Sequence, residues 1–163
     1  MEAKPYFDAL NQALGLELSP SPTGSLAFQL EGWGLILQWL EEARAFILYA
    51  ELGSLAGWGE REICRTLLGA NFLLVETQGA SLSLDSSKNV VGLNYYFPVY
   101  GQTGEGFVNL VDNFVEMADY WRGRLAALNA EQEERVRVAL ATQEEPAAEE
   151  AEEPFSPSAM IRI

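Results

Sequence analysis

The sequence predicts an α+β domain: an antiparallel sheet of about five strands with three helices. Three observations carry this. Five short runs alternate apolar and polar residues, three longer stretches repeat apolar residues at spacings of three and four, and the connections within each group of runs are short enough to join antiparallel neighbours. The order is helix, three strands, helix, two strands, helix.

The first helix covers Pro5 to Leu14, with Tyr6, Phe7, Leu10 and Leu14 on one side, Pro5 tolerable in the first turn and Gly15 placed to end it. The "SPSPTG" segment, Ser19 to Gly24, is a loop by composition. Three strands follow, alternating Leu26, Phe28 and Leu30, then Leu35, Leu37 and Trp39, then Phe46, Leu48, Ala50 and Leu52. Gly32 to Gly34 around Trp33 supplies the first reversal and Glu41 to Arg44 the second. The good helix formers of "QWLEEARAF" also admit a helical reading of Leu35 to Tyr49.

Glu60 to Phe72 reads as the second helix, with Ile63, Leu67, Leu68, Ala70 and Phe72 along one broad side. Glu60 and Glu62 stand in its first turn, where the helix dipole favours anions. A hairpin comes next: Leu82 and Leu84 share a face on one arm, Val91, Leu93, Tyr95 and Phe97 share a face on the other, "SSKN" makes the turn, and Pro98 ends the ladder. From Gly104 to Leu128 the residues Phe107, Leu110, Val111, Phe114, Met117, Ala118, Trp121, Leu125 and Leu128 give the strongest helical pattern, predicting a main helix over the sheet. Residues 1–128 therefore read as the domain, and 129–163, rich in glutamate, alanine and proline, as an acidic, disordered C-terminal tail.

Composition narrows the function. A net charge of −14 repels nucleic acid and anionic lipid surfaces, so neither is an expected partner. The run "WGLILQWL" is too short to cross a bilayer, the N-terminus lacks a signal-peptide pattern, and the single cysteine, Cys64, cannot form an intramolecular disulfide. A cytoplasmic protein without membrane insertion is expected. The chain has no histidine, which removes the commonest general base and the usual zinc ligand. No phosphate-binding loop is present, and "GQTGEG", Gly101 to Gly106, reads as a flexible connection. Cofactors and catalytic or metal-binding residues are therefore expected to be none. Asp112, Glu116 and Asp119 share a helical side as an acid/base or metal cluster would, but a solvated polar face opposite the apolar stripe accounts for them better. Cys64 lies beside Arg61 and Arg65, which would lower its pKa, or is a small buried side chain.

The stretch "LLGANFLLVETQGASLSLDSSKNVVGLNYYFPV", Leu67 to Val99, resembles the class I effector chaperones of bacterial type III secretion, the family that includes the Tir chaperone. It matches a helix ending in Leu-Leu-x-Ala-Asn, then Gly-Ala-x-Leu-x-Leu-Asp, a turn and a second strand. The first helix, the meander and "FVNLVDNFVEMADYWRGRL" fall where such chaperones have theirs, so the resemblance spans roughly residues 1–128. It implies a homodimer, without ATP use, that holds the N-terminal segment of an effector in extended form and keeps it competent for secretion. A secretion ATPase or sorting component is a further candidate partner.

The resemblance assigns the dimer contact to Ile63, Leu67, Leu68, Ala70, Asn71, Phe72, Leu82 and Leu84, and effector binding to Phe7, Leu10, Leu14, Phe28, Leu30, Leu37, Trp39, Phe46 and Leu48. Both sets also read as core, since an apolar stripe at helical or strand spacing packs inward by default. Phe28, Leu30 and Trp39 are expected to need a second cover beyond the helices. "PFSPSAMIRI", with Phe155, Met160, Ile161 and Ile163, reads either as a docking peptide or as a loose terminus. An alternative function is a small-ligand-binding or hydrolytic α+β domain with Tyr95, Tyr96, Trp39 and Trp58 around a pocket and Asp112 as a test position.

Overall fold

The computed structural model describes residues 3–144. The segment with Phe155, Met160, Ile161 and Ile163, expected to dock or to hang loose, lies outside the described residues. Over the described span the elements are α1 (Lys4–Leu14), β1 (Ser25–Leu30), β2 (Trp33–Leu40), β3 (Ala45–Ser54), α2 (Glu60–Ala70), a 3-10 turn (Phe72–Leu74), β4 (Ser81–Asp85), β5 (Val90–Pro98) and α3 (Gly104–Glu144). The strands form one sheet in the order β1-β2-β3-β5-β4, with every pair antiparallel. Leu35 to Tyr49 is thus two strands and a turn, not a helix.

Register explains the core. Phe28 pairs with Leu35, Leu37 with Leu48, Trp39 with Phe46, Phe46 with Phe97, Leu48 with Tyr95, and Ala50 with Leu93. Side chains alternate along a strand, so all of these project to one side, and α1 and α3 cover that side. Phe46 is at the centre, its ring 5.7 Å from Tyr6, 5.4 Å from Phe7, and 4.8 Å from both Trp39 and Phe107. The second cover expected for Phe28, Leu30 and Trp39 is therefore not needed. They share a face with Phe46 and Leu48, and Phe28 and Trp39 are buried within the single chain.

Local chemistry places each helix. Gly15 ends α1 with φ +65°, a left-handed conformation that costs glycine nothing, and its backbone N–H reaches the Asn11 carbonyl. The Tyr6 hydroxyl lies 3.1 Å from the carbonyls of Val99 and Gln102, tying α1 to the β5–α3 connection. Thr103 begins α3 by accepting the Gly106 N–H on its hydroxyl at 3.1 Å. The "GQTGEG" segment is thus a turn and a helix start.

Three boundaries differ from expectation. The first reversal sits at Glu31 and Gly32, and Trp33 already pairs with Leu30. Its buried indole N–H donates to Asp119 at 2.8 Å, and the Arg122 guanidinium lies 3.1 Å from the ring centroid. α2 stops at Ala70, so Phe72 leaves the buried side of the helix and is exposed. α3, expected to end at Leu128, continues to Glu144. Residues 129–144 contain strong helix formers and neither glycine nor proline, and Arg135 pairs with Glu131 at 2.6 Å and Arg137 with Glu134 at 2.5 Å. Asn129 fastens the start of this overhang, donating to the Ser54 carbonyl at 2.9 Å and accepting the Ala56 N–H at 3.0 Å.

Candidate protein-binding surfaces

The helices cover one face of the sheet, so the residues between the core positions form an open face. Its registers run Ser25, Gln38, Ile47, Tyr96, then Ala27, Ile36, Tyr49, Asn94, and beyond them Gln29 pairs with Gly34 and Glu51 with Gly92. Alternation normally puts polar residues here, yet Ile36, Ile47, Tyr49 and Tyr96 make its centre apolar. Ile36 is 42% exposed and Tyr96 53%. Tyr49 lies flat across the neighbouring strand, and a Cβ added at Gly92 would strike its ring. Burial first, then the carboxylates of Glu51 and Asp85, push the Tyr49 phenol above its ordinary pKa. Toward β1 the face dips into a shallow groove of about 460 Å³ with Ala27, Gly34 and Ile36 on its floor and Gln29, Tyr49 and Glu51 beside them. β1 is an edge strand with a single neighbour, β2.

A second uncovered surface lies where α2 ends. Leu68 is 70% exposed, Phe72 74%, Leu73 77% and Val75 73%. Leu73 and Leu74 hold φ of +57° and +54°, which costs an L-residue roughly 1–2 kcal/mol apiece. Strain of this kind persists only where the surroundings impose it. Beside the patch, Cys64, Leu67, Leu68, Leu82 and Leu84 line an apolar cleft of about 210 Å³. Asn71 holds α2 to β4, donating to the Leu82 carbonyl at 2.9 Å and accepting its N–H at 2.8 Å. β4 is the sheet's other edge, so this amide occupies its outer backbone groups at Leu82.

The two assigned residue sets separate by depth. Of the dimer set, Leu68 and Phe72 are open to solvent, Leu84 borders on exposed, and Asn71 is half-buried, while Ile63, Leu67, Ala70 and Leu82 pack into the core. Of the effector set, Phe7 and Leu10 of α1 and Phe28, Leu37, Trp39, Phe46 and Leu48 of the sheet are buried in the core between sheet and helices, and Leu14 and Leu30 lie half-buried at the margin of that core. These nine are therefore together, on the covered face. Sequence reasoning passed over Ile36, Ile47 and Tyr49 and gave Tyr96 only to the ligand-pocket alternative; their signal was an apolar residue at a strand position where the alternation expects a polar one. It also passed over Leu73, Leu74 and Val75, which lie beyond the end of α2.

The ligand-site alternative finds little geometry. Trp39 is in the core, Tyr95 packs on the helix side, Tyr96 is on the open face, and Trp58 is exposed in the β3–α2 loop, so no cavity gathers them. Asp119 is engaged by Trp33, and among the described residues no group of three metal-ligating side chains converges. Partial burial first, and then Glu60, push the Cys64 thiol up in pKa, so Arg61 and Arg65 do not activate it. Among the described residues no helix is long and apolar enough to cross a membrane.

Comparison with solved structures finds the same fold. The ExsC–ExsE complex is 21% identical with a TM-score of 0.65, covering 76% of this chain and 93% of that one. The ExoU–SpcU complex from the type III secretion system of Pseudomonas aeruginosa is 21% identical with a TM-score of 0.58, covering 76% and 96%. The Yersinia pestis type III secretion chaperone SycH, in complex with a fragment of YscM2, is 17% identical with a TM-score of 0.57, covering 71% and 95%. Comparison with curated protein sequences finds no match. The model of the Tir chaperone protein (CesT) family matches residues 8–122, a span that holds all five strands, α2 and most of α1, and on that match the chain belongs to this family.

Proposed function

We propose that the protein is an ATP-independent, cytoplasmic, homodimeric chaperone that binds the N-terminal segment of a type III secretion effector in extended form and keeps it competent for secretion. The observation that carries the reading is that one chain leaves two separate apolar surfaces uncovered, the open sheet face and the patch beyond α2. Contiguous apolar exposure of this kind marks interaction sites. The two surfaces answer to two partners.

The patch of Leu68, Phe72, Leu73, Val75 and Leu84 is the twofold contact, where the same residues of each copy meet. The open face takes the client. Ile36, Ile47, Tyr49 and Tyr96 receive its apolar side chains, and the free edge of β1 offers backbone pairing to an extended segment. Ordering the client costs about 2–5 kcal/mol, offset by burying its anchors. Family membership and the neighbours solved as complexes within type III secretion support this assignment. The chaperone unit is residues 1–128, and the overhang of α3 with the acidic run after it forms its C-terminal extension.

The test is purification from the native cell, identification of the bound protein, and reconstitution with its truncations. Binding has to map to the client's N-terminal segment, to proceed without nucleotide, and to be lost in an Ile36→Ser, Tyr96→Ser variant that still dimerises. Binding that maps elsewhere on the client, or survives the double substitution unchanged, removes the proposal.

A further inference from the structure

We infer that the client segment carries a lysine or arginine two residues from an apolar anchor, and that Glu51 receives it. This rests on reading the open face as the client surface. Glu51 pairs with Gly92 on β5 and lines the groove together with Gly34 of β2, and neither glycine carries a side chain. At Gly34 nothing lies within 4 Å of where a Cβ would be. A side chain from outside can therefore lie across the bare backbone of β2 and bring its head to the Glu51 carboxylate. Glu51 takes part in none of the ion pairs seen among the described residues. Arg122, the cation at the rim of the groove, is held over the Trp33 ring.

The spacing fits an extended guest. Ile36 and Gly34 are two residues apart on β2 and face the same way, and an extended peptide also repeats its side chains on one face every two residues, about 6.8 Å. An aliphatic residue over Ile36 therefore places the residue two positions along over Gly34 and beside Glu51. Glu51 is the acidic residue lining the groove, the Arg122 guanidinium there is held over the Trp33 ring, and the chain as a whole has 24 acidic against 10 basic residues. An acidic guest residue would be repelled there and a lysine or arginine attracted.

The test uses the full-length protein and two fluorescent peptides of about a dozen residues, long enough to span a strand, with leucine and a second residue alternating on one face and serine between. In one peptide the second residue is lysine, in the other glutamine. In low salt the lysine peptide is expected to bind about fivefold more tightly, the size of one exposed ion pair. Glu51→Gln should abolish the difference, whereas Glu133→Gln, an equal loss of charge on the α3 overhang, should preserve it. A preference that survives Glu51→Gln, or that falls equally with Glu133→Gln, overturns the inference, while loss of both peptides' binding in Tyr96→Ser keeps the client face intact. Unchanged binding of both peptides in Tyr96→Ser overturns the reading of the face itself, and the inference with it.

Discussion

Phe72→Ala separates the proposed twofold contact from the stability of the chain. In the single chain Phe72 is 74% exposed, so truncating it opens no cavity and should leave the unfolding of a dilute protomer within about 0.5 kcal/mol of the parent. Full burial of a phenylalanine stabilises by about 1.5–3 kcal/mol, so the exposed three quarters leave roughly 1–2 kcal/mol for a partner to realise. A twofold interface uses the residue twice, which makes the loss about 2–4 kcal/mol and raises the dimer Kd by about thirty- to a thousandfold. Sedimentation equilibrium over a concentration series reads this directly. Tyr100→Ala is the control: it removes an aromatic that is 88% exposed in the turn before α3, outside the patch, and should leave Kd unchanged. A Kd for Phe72→Ala within about twofold of the parent would refute the assignment of this surface.

Further expectations concern single positions. Leu73→Gly relieves a left-handed leucine whose side chain is largely outside the core, so urea unfolding of the dilute protomer should show a gain of about 0.5–1 kcal/mol together with a weaker dimer; a loss of stability contradicts the strain argument. Gly59→Ala introduces a Cβ 2.5 Å from Cγ and 2.7 Å from Cβ of Gln132 at a φ of +80°, and should cost about 2–3 kcal/mol by thermal or urea unfolding. Trp33→Phe removes the indole donor to Asp119 and should cost about 1–2 kcal/mol, most of which Asp119→Asn will not repeat because its amide oxygen still accepts. The raised pKa of Cys64 leaves less thiolate near pH 8, so iodoacetamide should modify it more slowly than free cysteine; Glu60→Gln removes the second cause and should speed the reaction, and an unmodified protein faster than free cysteine would reverse the sign.

Element order was legible in the residues because periodicity is a local property. Leu26, Phe28 and Leu30 announce a strand, and Phe107 to Leu128 a helix, whatever surrounds them. Gly15 and the alternation of the hairpin were readable for the same reason. The helix end at Ala70 and the continuation of α3 past Leu128 were less so, because boundaries depend on what the last turn can rest against, as Asn129 rests on Ser54 and Ala56. Leu68, Phe72 and Leu84 were picked from the text and stay open, but which apolar residues of the meander remain available to partners was not legible. Phe28, Trp39 and Phe46 and the apolar residues at alternate positions, Ile36 and Ile47, look alike in the text, and it is the packing of α1 and α3 that buries the first group and leaves the second on the uncovered face. A strand's pattern says that it has two faces; only contacts between residues distant in the chain decide which face is covered, since a helix can be laid on either side of the same alternation.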